Sequence, residues 1–409
     1  MINKQDKEAL RRLASEYMQA ALSPVQAKKI TLWRALNRSE MQRPMVTIDQ
    51  LPWMELDCEE LRCEVSDGFW RGIELELRRQ LYKWRHFPVD MVLEPYIAVP
   101  LAVHNSGFSL PIQVERLGEP GTSAYSQHFT PSLRTMADVE KIGMQEITHD
   151  EAESARRLAE AQEIFDGIAP VEMHGIGFHL GVWDYLSSIM GPDNVFFALT
   201  DEPELVHAAM ERLTQSVLHG VAQANAMQLH NDLTNLCHCS YIYTDTLRPG
   251  VGHGRGTEAQ DCWTLGLAQL FTAVSPQMFA EFELPYIQRM AEPFGMIYYG
   301  CCDKLDDRLD SVKKIPHVRK VSCSPWSDRK HFAEEIGTEL IFSNKPTPAY
   351  LATPEFDEQR IRADLTLTYD LARANGANLE FLLKDVSTVL RDPRRLVRWA
   401  QIAMEVVQK

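Results

Sequence analysis

The stretch YYGCCDKLDD (298–307) places two adjacent cysteines, Cys301 and Cys302, directly before Asp303, where an apolar run gives way to charge. Thiolates are soft metal ligands and good nucleophiles. A carboxylate beside them can orient a substrate or move a proton. A second pattern, FLLKD (381–385), sets Lys384 and Asp385 straight after a run that reads as buried. Charge there is costly unless it is paired or opens at the mouth of the fold, and the mouth is the favoured reading. A third, CHCSYIYTDT (237–246), holds Cys237 and Cys239 in a half-site spacing for zinc, with His238 and Tyr243 close by. On a strand the two thiols share one face and His238 takes the other.

Each group also has an ordinary structural role. A lone strand cysteine such as Cys323 reads as core, because cysteine is among the most buried residue types. In a regular strand only one of Cys301 and Cys302 would face a site, whereas in a loop just past the strand both would reach a metal. Cys237 and Cys239 also suit small core positions. His174 and His179, around the end of the strand-like APVEMHG (169–175), suit hydrogen-bonded scaffold roles as well as ligand or acid roles. Lys345, before Pro346, equally suits a solvated loop. GHGRG (252–256) matches neither phosphate nor dinucleotide loops and reads as a mobile loop over the mouth, a lid.

These groups must be positioned by the elements around them. Residues 5–22 and 24–38 read as two helices, followed by the strand-like MVTI (45–48), a helix near 69–86 and a strand-like run over 90–99. Residues 102–145 lack helical periodicity and read as an insertion with a hairpin. Helices are expected over 150–167, 182–190, 202–227 and 276–293, with strands at 169–175 and near 235. The last part alternates: strands 296–299, 318–323, 338–343 and 378–383 precede helices 303–314, 326–336, 354–375 and 391–407. Alternating strands and helices imply a parallel sheet. Eight such units without a dinucleotide fingerprint imply an α/β fold of the (β/α)8 TIM-barrel type. Residues 1–42 form a helical extension and 43–409 the barrel. In such a barrel the chemistry lies at the C-terminal strand ends, where Cys301, Cys302 and Asp303, then Cys323, Lys345, and finally Lys384 and Asp385 fall.

The chain of 409 residues carries 42 basic and 57 acidic side chains, a formal charge of −15, which argues against general affinity for nucleic acid or anionic membranes. No apolar stretch is long enough to span a bilayer. The N-terminal segment is amphipathic without a signal-peptide core. Eight cysteines in a chain this long are not a secreted disulfide framework, so a reducing cytoplasm is expected.

Three segments carry a family resemblance. YLSSIMGPDNVFFALTDEPELVHAAMERLT (185–214), SPQMFAEFELPYIQRMAEPFG (275–295) and FSNKPTPAYL (342–351) resemble the uroporphyrinogen decarboxylase superfamily across residues 150–409. Its true decarboxylases carry an arginine-bearing N-terminal segment that handles porphyrinogen carboxylates; this chain has RPMVTIDQLPW (43–53) there. The other branch, zinc-dependent methyltransferases that work with corrinoid proteins, uses a His-x-Cys-Gly motif and a further cysteine near the last strand. Here Tyr299 stands at the histidine position, Cys301 at the cysteine and Cys302 at the glycine, and Lys384-Asp385 occupies the region of the last cysteine. The resemblance implies a cytoplasmic methyltransferase that exchanges a methyl group between a small methylated substrate and a corrinoid-binding protein, with zinc at the mouth. Cys301, Cys302 and His238 are the expected metal ligands, and Asp385, Lys384 and Asp303 the catalytic groups. Tyr243, Tyr299 and His174 are expected to bind substrate. The alternatives are a decarboxylase of a small carboxylate and a noncatalytic binding barrel. A homodimer stays open.

Overall fold

The computed structural model describes residues 2–117, 126–231, 236–247 and 257–408; the glycine-rich loop expected at 252–256 lies outside the described residues. Two helices open the chain, α1 (Lys4–Ala21) and α2 (Pro24–Asn37). Asn3 caps α1 by accepting from the Asp6 amide, and Pro24 begins α2 where its missing N–H costs nothing. β1 (Met45–Ile48), α3 (Gly68–His86) and β2 (Ile97–Pro100) follow. In the inserted region stand β3 (Val103–Asn105), β4 (Gln113–Leu117), β5 (Ser126–Thr130), α4 (Met136–Val139) and β6 (Ile147–His149). β4 pairs antiparallel with β5, and β3 with β6. Next come α5 (Glu151–Phe165), β7 (Val171–His174), α6 (Val182–Met190), α7 (Pro192–Asp201) and α8 (Pro203–Met227). β8 (Leu236–Cys237) and β9 (Ser240–Tyr241) form a short antiparallel hairpin. It stands where a parallel strand near 235 was expected. That place in the sheet belongs instead to β10 (Trp263–Gly266).

The C-terminal half alternates as its sequence predicts: α9 (Pro276–Phe282), α10 (Leu284–Ala291), β11 (Met296–Tyr299), α11 (Leu309–Val312), β12 (Val318–Cys323), α12 (Arg329–Glu335), β13 (Ile341–Asn344), α13 (Glu358–Ala374), β14 (Asn378–Leu383) and α14 (Arg394–Val407). α14 buries Leu396, Trp399, Ala400, Ala403, Val406 and Val407, the spacing of one helical face. Every residue of β14 is buried, including the polar Asn378 and Glu380. The helix expected over 303–314 shrinks to Leu309–Val312. Arg308, buried just before it, donates to the carbonyls of Phe271 and Val274.

The result is an α/β fold with a six-stranded parallel sheet in the order β1-β14-β13-β12-β11-β10. β2 and β7 form a separate parallel pair. Single parallel bridges, Ile176 with His230, Leu229 with Thr257 and His179 with Leu265, lie between that pair and β10. On the β1 side, the Asp90 amide donates to the Val46 carbonyl. No ladder joins β1 to β2 among the described residues.

Side chains alternate across the sheet. One face carries Tyr298, Lys320, Ser322, Ser343 and Glu380; the other carries Tyr299, Val321, Phe342 and Phe381 against the helices. The first face is polar because the β8–β9 hairpin lies on it. Glu380 pairs with Lys320 at 2.9 Å, and both bond the Ser240 hydroxyl, at 2.7 and 2.6 Å. Lys320 also donates to the Tyr241 carbonyl, and the Tyr241 ring rests against Trp33 of α2. A buried ion pair is tolerable when its remaining donors are taken up in this way. No helix among the described residues is long and apolar enough to cross a membrane.

Candidate active site

β11 ends at Tyr299, and Gly300 turns the chain with φ +93°. A Cβ there would lie 2.6 Å from Leu305 and 3.0 Å from Ser322, so only glycine makes this turn without strain. The turn lifts Cys301 and Cys302 out of strand alternation, so both thiols can serve the same site. Asp303, 1% exposed, accepts from the amides of Cys301 (3.2 Å) and Ala268 (3.1 Å). Ser322 donates to the Cys301 carbonyl at 2.6 Å. Asp303 is therefore the loop's anchor. Asp303 was expected as a catalytic group; here its two oxygens each accept from a backbone amide.

At the end of β14, Lys384 is the hub. Its Nζ lies 3.0 Å from Cys301 Sγ, 3.0 Å from Asp385 Oδ2 and 3.1 Å from His238 Nε2. Cys302 Sγ stands 3.7 Å from Cys301 Sγ and 3.5 Å from Asp385 Oδ2. Lys345, at the end of β13 and buried, donates to Ser322 (2.7 Å) and to the Tyr298 hydroxyl (3.0 Å). Tyr298 also shares a hydrogen bond with Ser343.

The electrostatics follow from burial and these contacts. The Cys301 thiol is pulled down to about 6, first by the Cys302 thiol's hydrogen bond, then, against the opposing effect of burial, by Lys345 and Lys384. Cys302 correspondingly keeps its proton. Burial works against the Lys384 charge, but the Cys301 thiolate and Asp385 hold it above the usual lysine range. Burial lowers Lys345 to about 8, with the Lys384 charge adding to the effect. Burial and both lysines keep His238 neutral, well below the ordinary imidazole range. The ends of β11, β13 and β14, with the hairpin turn, thus bring together a thiolate, two ammonium groups, a neutral imidazole and the exposed Asp385 carboxylate.

Cys301, Cys302 and Asp385 each offer one ligand atom, and the three lie within 4.8 Å of one another. Three protein donors with a fourth position open is the pattern of a catalytic zinc site. Asp385 is the third member of this group; His238, the expected third ligand, lies outside it, with its Nε2 3.1 Å from Lys384 Nζ. His238 reaches the site on a hairpin turn. It and Cys239 have φ of +49° and +67°, the left-handed pair demanded by a two-residue hairpin loop. The expected strand face shared by Cys237 and Cys239 is thereby replaced. Cys237 packs among Leu265, Tyr298 and Cys301, and burial pushes its thiol and that of Cys239 up to about 12.

Two expected pocket residues lie elsewhere. Tyr299 faces the helices and donates to Glu283, because Tyr298 takes the site face of β11. Tyr243 is buried beside Glu94, to whose carboxylate it donates. His174, at the end of β7, contacts the Gly175 carbonyl at 3.2 Å, and burial lowers its imidazole. Lys345 was expected at a strand end but given no role, and Tyr298 was not among the expected site residues; the alternation of β11 was the signal that could have found it.

No protein-family model and no curated protein matches the chain. Among solved structures it is similar to a methyltransferase from Methanosarcina mazei, with a TM-score of 0.52 and 12% sequence identity, over 92% of this chain and 98% of that one. At that identity the likeness is one of fold, and it extends over nearly the whole length of both chains.

Proposed function

We propose that this chain is a methyltransferase that moves a methyl group between a small methylated substrate and a corrinoid carried by a partner protein, with zinc at the C-terminal strand ends. The reading takes the eight parallel strands as one closed (β/α)8 ring and places the protein in a reducing cytoplasm. The observation that carries it is the convergence of Cys301, Cys302 and Asp385 into a three-donor cluster at those ends. The whole-length likeness to a fold that serves methyl transfer elsewhere supports it.

The donors fit zinc in type and spacing, provided that Lys384 gives up its contacts with Cys301 and Asp385. Bound there, zinc would supply Lewis-acid stabilisation of charge on the atom that loses or gains the methyl group. Lys384 holds a proton within reach of that atom, and neutral His238 keeps the lysine aimed. Lys345 offers a second cation for an anionic group of the substrate. Exposed Met54, Trp326 and Leu390 stand in the loops after β1, β12 and β14. Parallel strands send those loops to one side, so the apolar groups rim the mouth where a partner would dock.

The test is metal content of the protein purified without added metal, with Cys301→Ser, Cys302→Ser and Asp385→Asn beside wild type. The methyl-transfer assay follows the absorbance of cobalt(I) corrinoid with candidate methyl donors. Stoichiometric zinc lost in the variants, with methylation of cobalt, is the expected result. Absence of both in folded wild type would overturn it.

One observation favours a second reading. Lys345 and Lys384 both bear electrostatically on Cys301, and paired cations suit the substrate carboxylates of a decarboxylase. Metal-independent release of carbon dioxide would establish that reading in place of the first.

A further inference from the structure

α7 buries Val195, Ala198 and Leu199 against the body of the protein. Phe197, between them in sequence, points the other way and is 66% exposed. Beside it lies a cavity of about 390 Å3, with Leu133, Met190, Ala198 and Leu205 in its lining and Phe197 itself part of the wall. A void of about 150 Å3 already accepts a benzene ring, so this one has room for an aromatic side chain.

The segment from β5 to α4 lies along the same helix. The amides of Ser132 and Leu133 both donate to the Ile189 carbonyl, and a Cβ on Gly191 would meet Pro131 at 3.4 Å. This segment leads to Met136, which is 56% exposed. β4, paired with β5, adds Ile112 just before it and Val114 within it, both exposed and two positions apart. No strand among the described residues takes the other edge of β4. Exposed apolar groups from three neighbouring elements therefore surround one cavity, a grouping that marks an interaction surface rather than scattered exposure.

Charge says what covers it. Arg134 lines the cavity from the inserted region, and Asp201 and Glu202 line it from the end of α7. The face thus carries both halves of each contact, a protruding ring and a space for one, a cation and two anions. A partner of another kind needs only one half of each. Contact across a twofold axis needs both halves on one surface.

We infer that this face binds a second copy of the chain across a twofold axis. Phe197 enters the cavity of the partner subunit, and Arg134 meets the partner subunit's Asp201 and the partner subunit's Glu202. The inference does not depend on the assignment of methyl transfer.

Sedimentation velocity of the intact protein at micromolar concentrations tests it. The mass of two chains is expected for wild type. Phe197→Asp should weaken the dimer by about tenfold or more, the scale of losing a central aromatic anchor. The side chain is exposed, so its thermal melt should match that of wild type. Arg134→Glu should weaken the dimer by about tenfold, and adding Asp201→Arg and Glu202→Arg to it should restore the dimer, a rescue that only direct contact gives. A wild-type chain that stays monomeric throughout overturns the inference and leaves the face to a different protein. A dimer unchanged by both Phe197→Asp and Arg134→Glu overturns it as well.

Discussion

Lys384 is the residue on which the site turns, because it touches Cys301, Asp385 and His238 at once. Replacing it with methionine keeps the stem and removes the proton. Steady-state kinetics of Lys384→Met should show a loss of about 100-fold or more in kcat, the scale of removing one aimed donor. Asp303 should behave differently. Asp303→Asn leaves one of two buried amides without its acceptor, so a loss of about 1–3 kcal/mol is expected in chemical denaturation. At this scale the sequence was informative about type and blind to partnership. A charge straight after a buried run was read as opening at the mouth, but Lys384 is buried and its charge is paired with Asp385 and Cys301. Nothing in the local pattern announces that its partner is a thiol 83 positions away. Tyr299 was taken over Tyr298 because a family motif was laid on the stretch, whereas strand alternation puts Tyr298 on the site face.

Among the elements, the Gly300 turn and the β8–β9 hairpin deliver side chains to the site. Gly300→Ala forces a methyl group to within 2.6 Å of Leu305 at a positive φ. It should lower stability by about 1–3 kcal/mol and displace both cysteines, visible as a fall in denaturation midpoint together with loss of bound metal. The late βα units were legible because each pairs a short apolar run with a capped amphipathic helix. The hairpin was not. Its turn uses His238 and Cys239 at positive φ, where sequence rules look for asparagine or glycine, so CHCSYIY read as one strand. β10 was missed for the complementary reason: WTLG is short, and nothing in its composition sets it apart from the loops around it.

Over the whole molecule, two buried charged groups set how stability responds. Lys320→Met strands Glu380 in the sheet interior, and a cost of about 3–5 kcal/mol is expected from denaturant titration. Glu283, fully buried between Trp183 and Tyr299, has its carboxyl raised by burial from 4.5 to about 8. The folded state therefore holds this proton more tightly than the unfolded chain does. The stability it contributes is complete below about pH 4.5 and is lost as pH rises through about 8, at up to about 1.4 kcal/mol per unit. Glu283→Gln should flatten that slope in melts taken across the range.

The polar interior has a last consequence, for the order in which the chain can assemble. Tyr241 meets Trp33, Asn37 and Val92 upstream, but the Ser240 hydroxyl bonds Lys320 and Glu380, 80 and 140 positions further on. During synthesis that hydroxyl must wait until nearly all of the chain has emerged. The strands from β11 onward must then close over a segment already laid in place, as staves close on a former. The N-terminal half can cover the Tyr241 side of the hairpin through Trp33, Asn37 and Val92, but leaves the Ser240 side open until β12 and β14 arrive. Protection of that side in pulsed hydrogen exchange should appear together with that of β14, at the end of folding rather than with its own sequence neighbours.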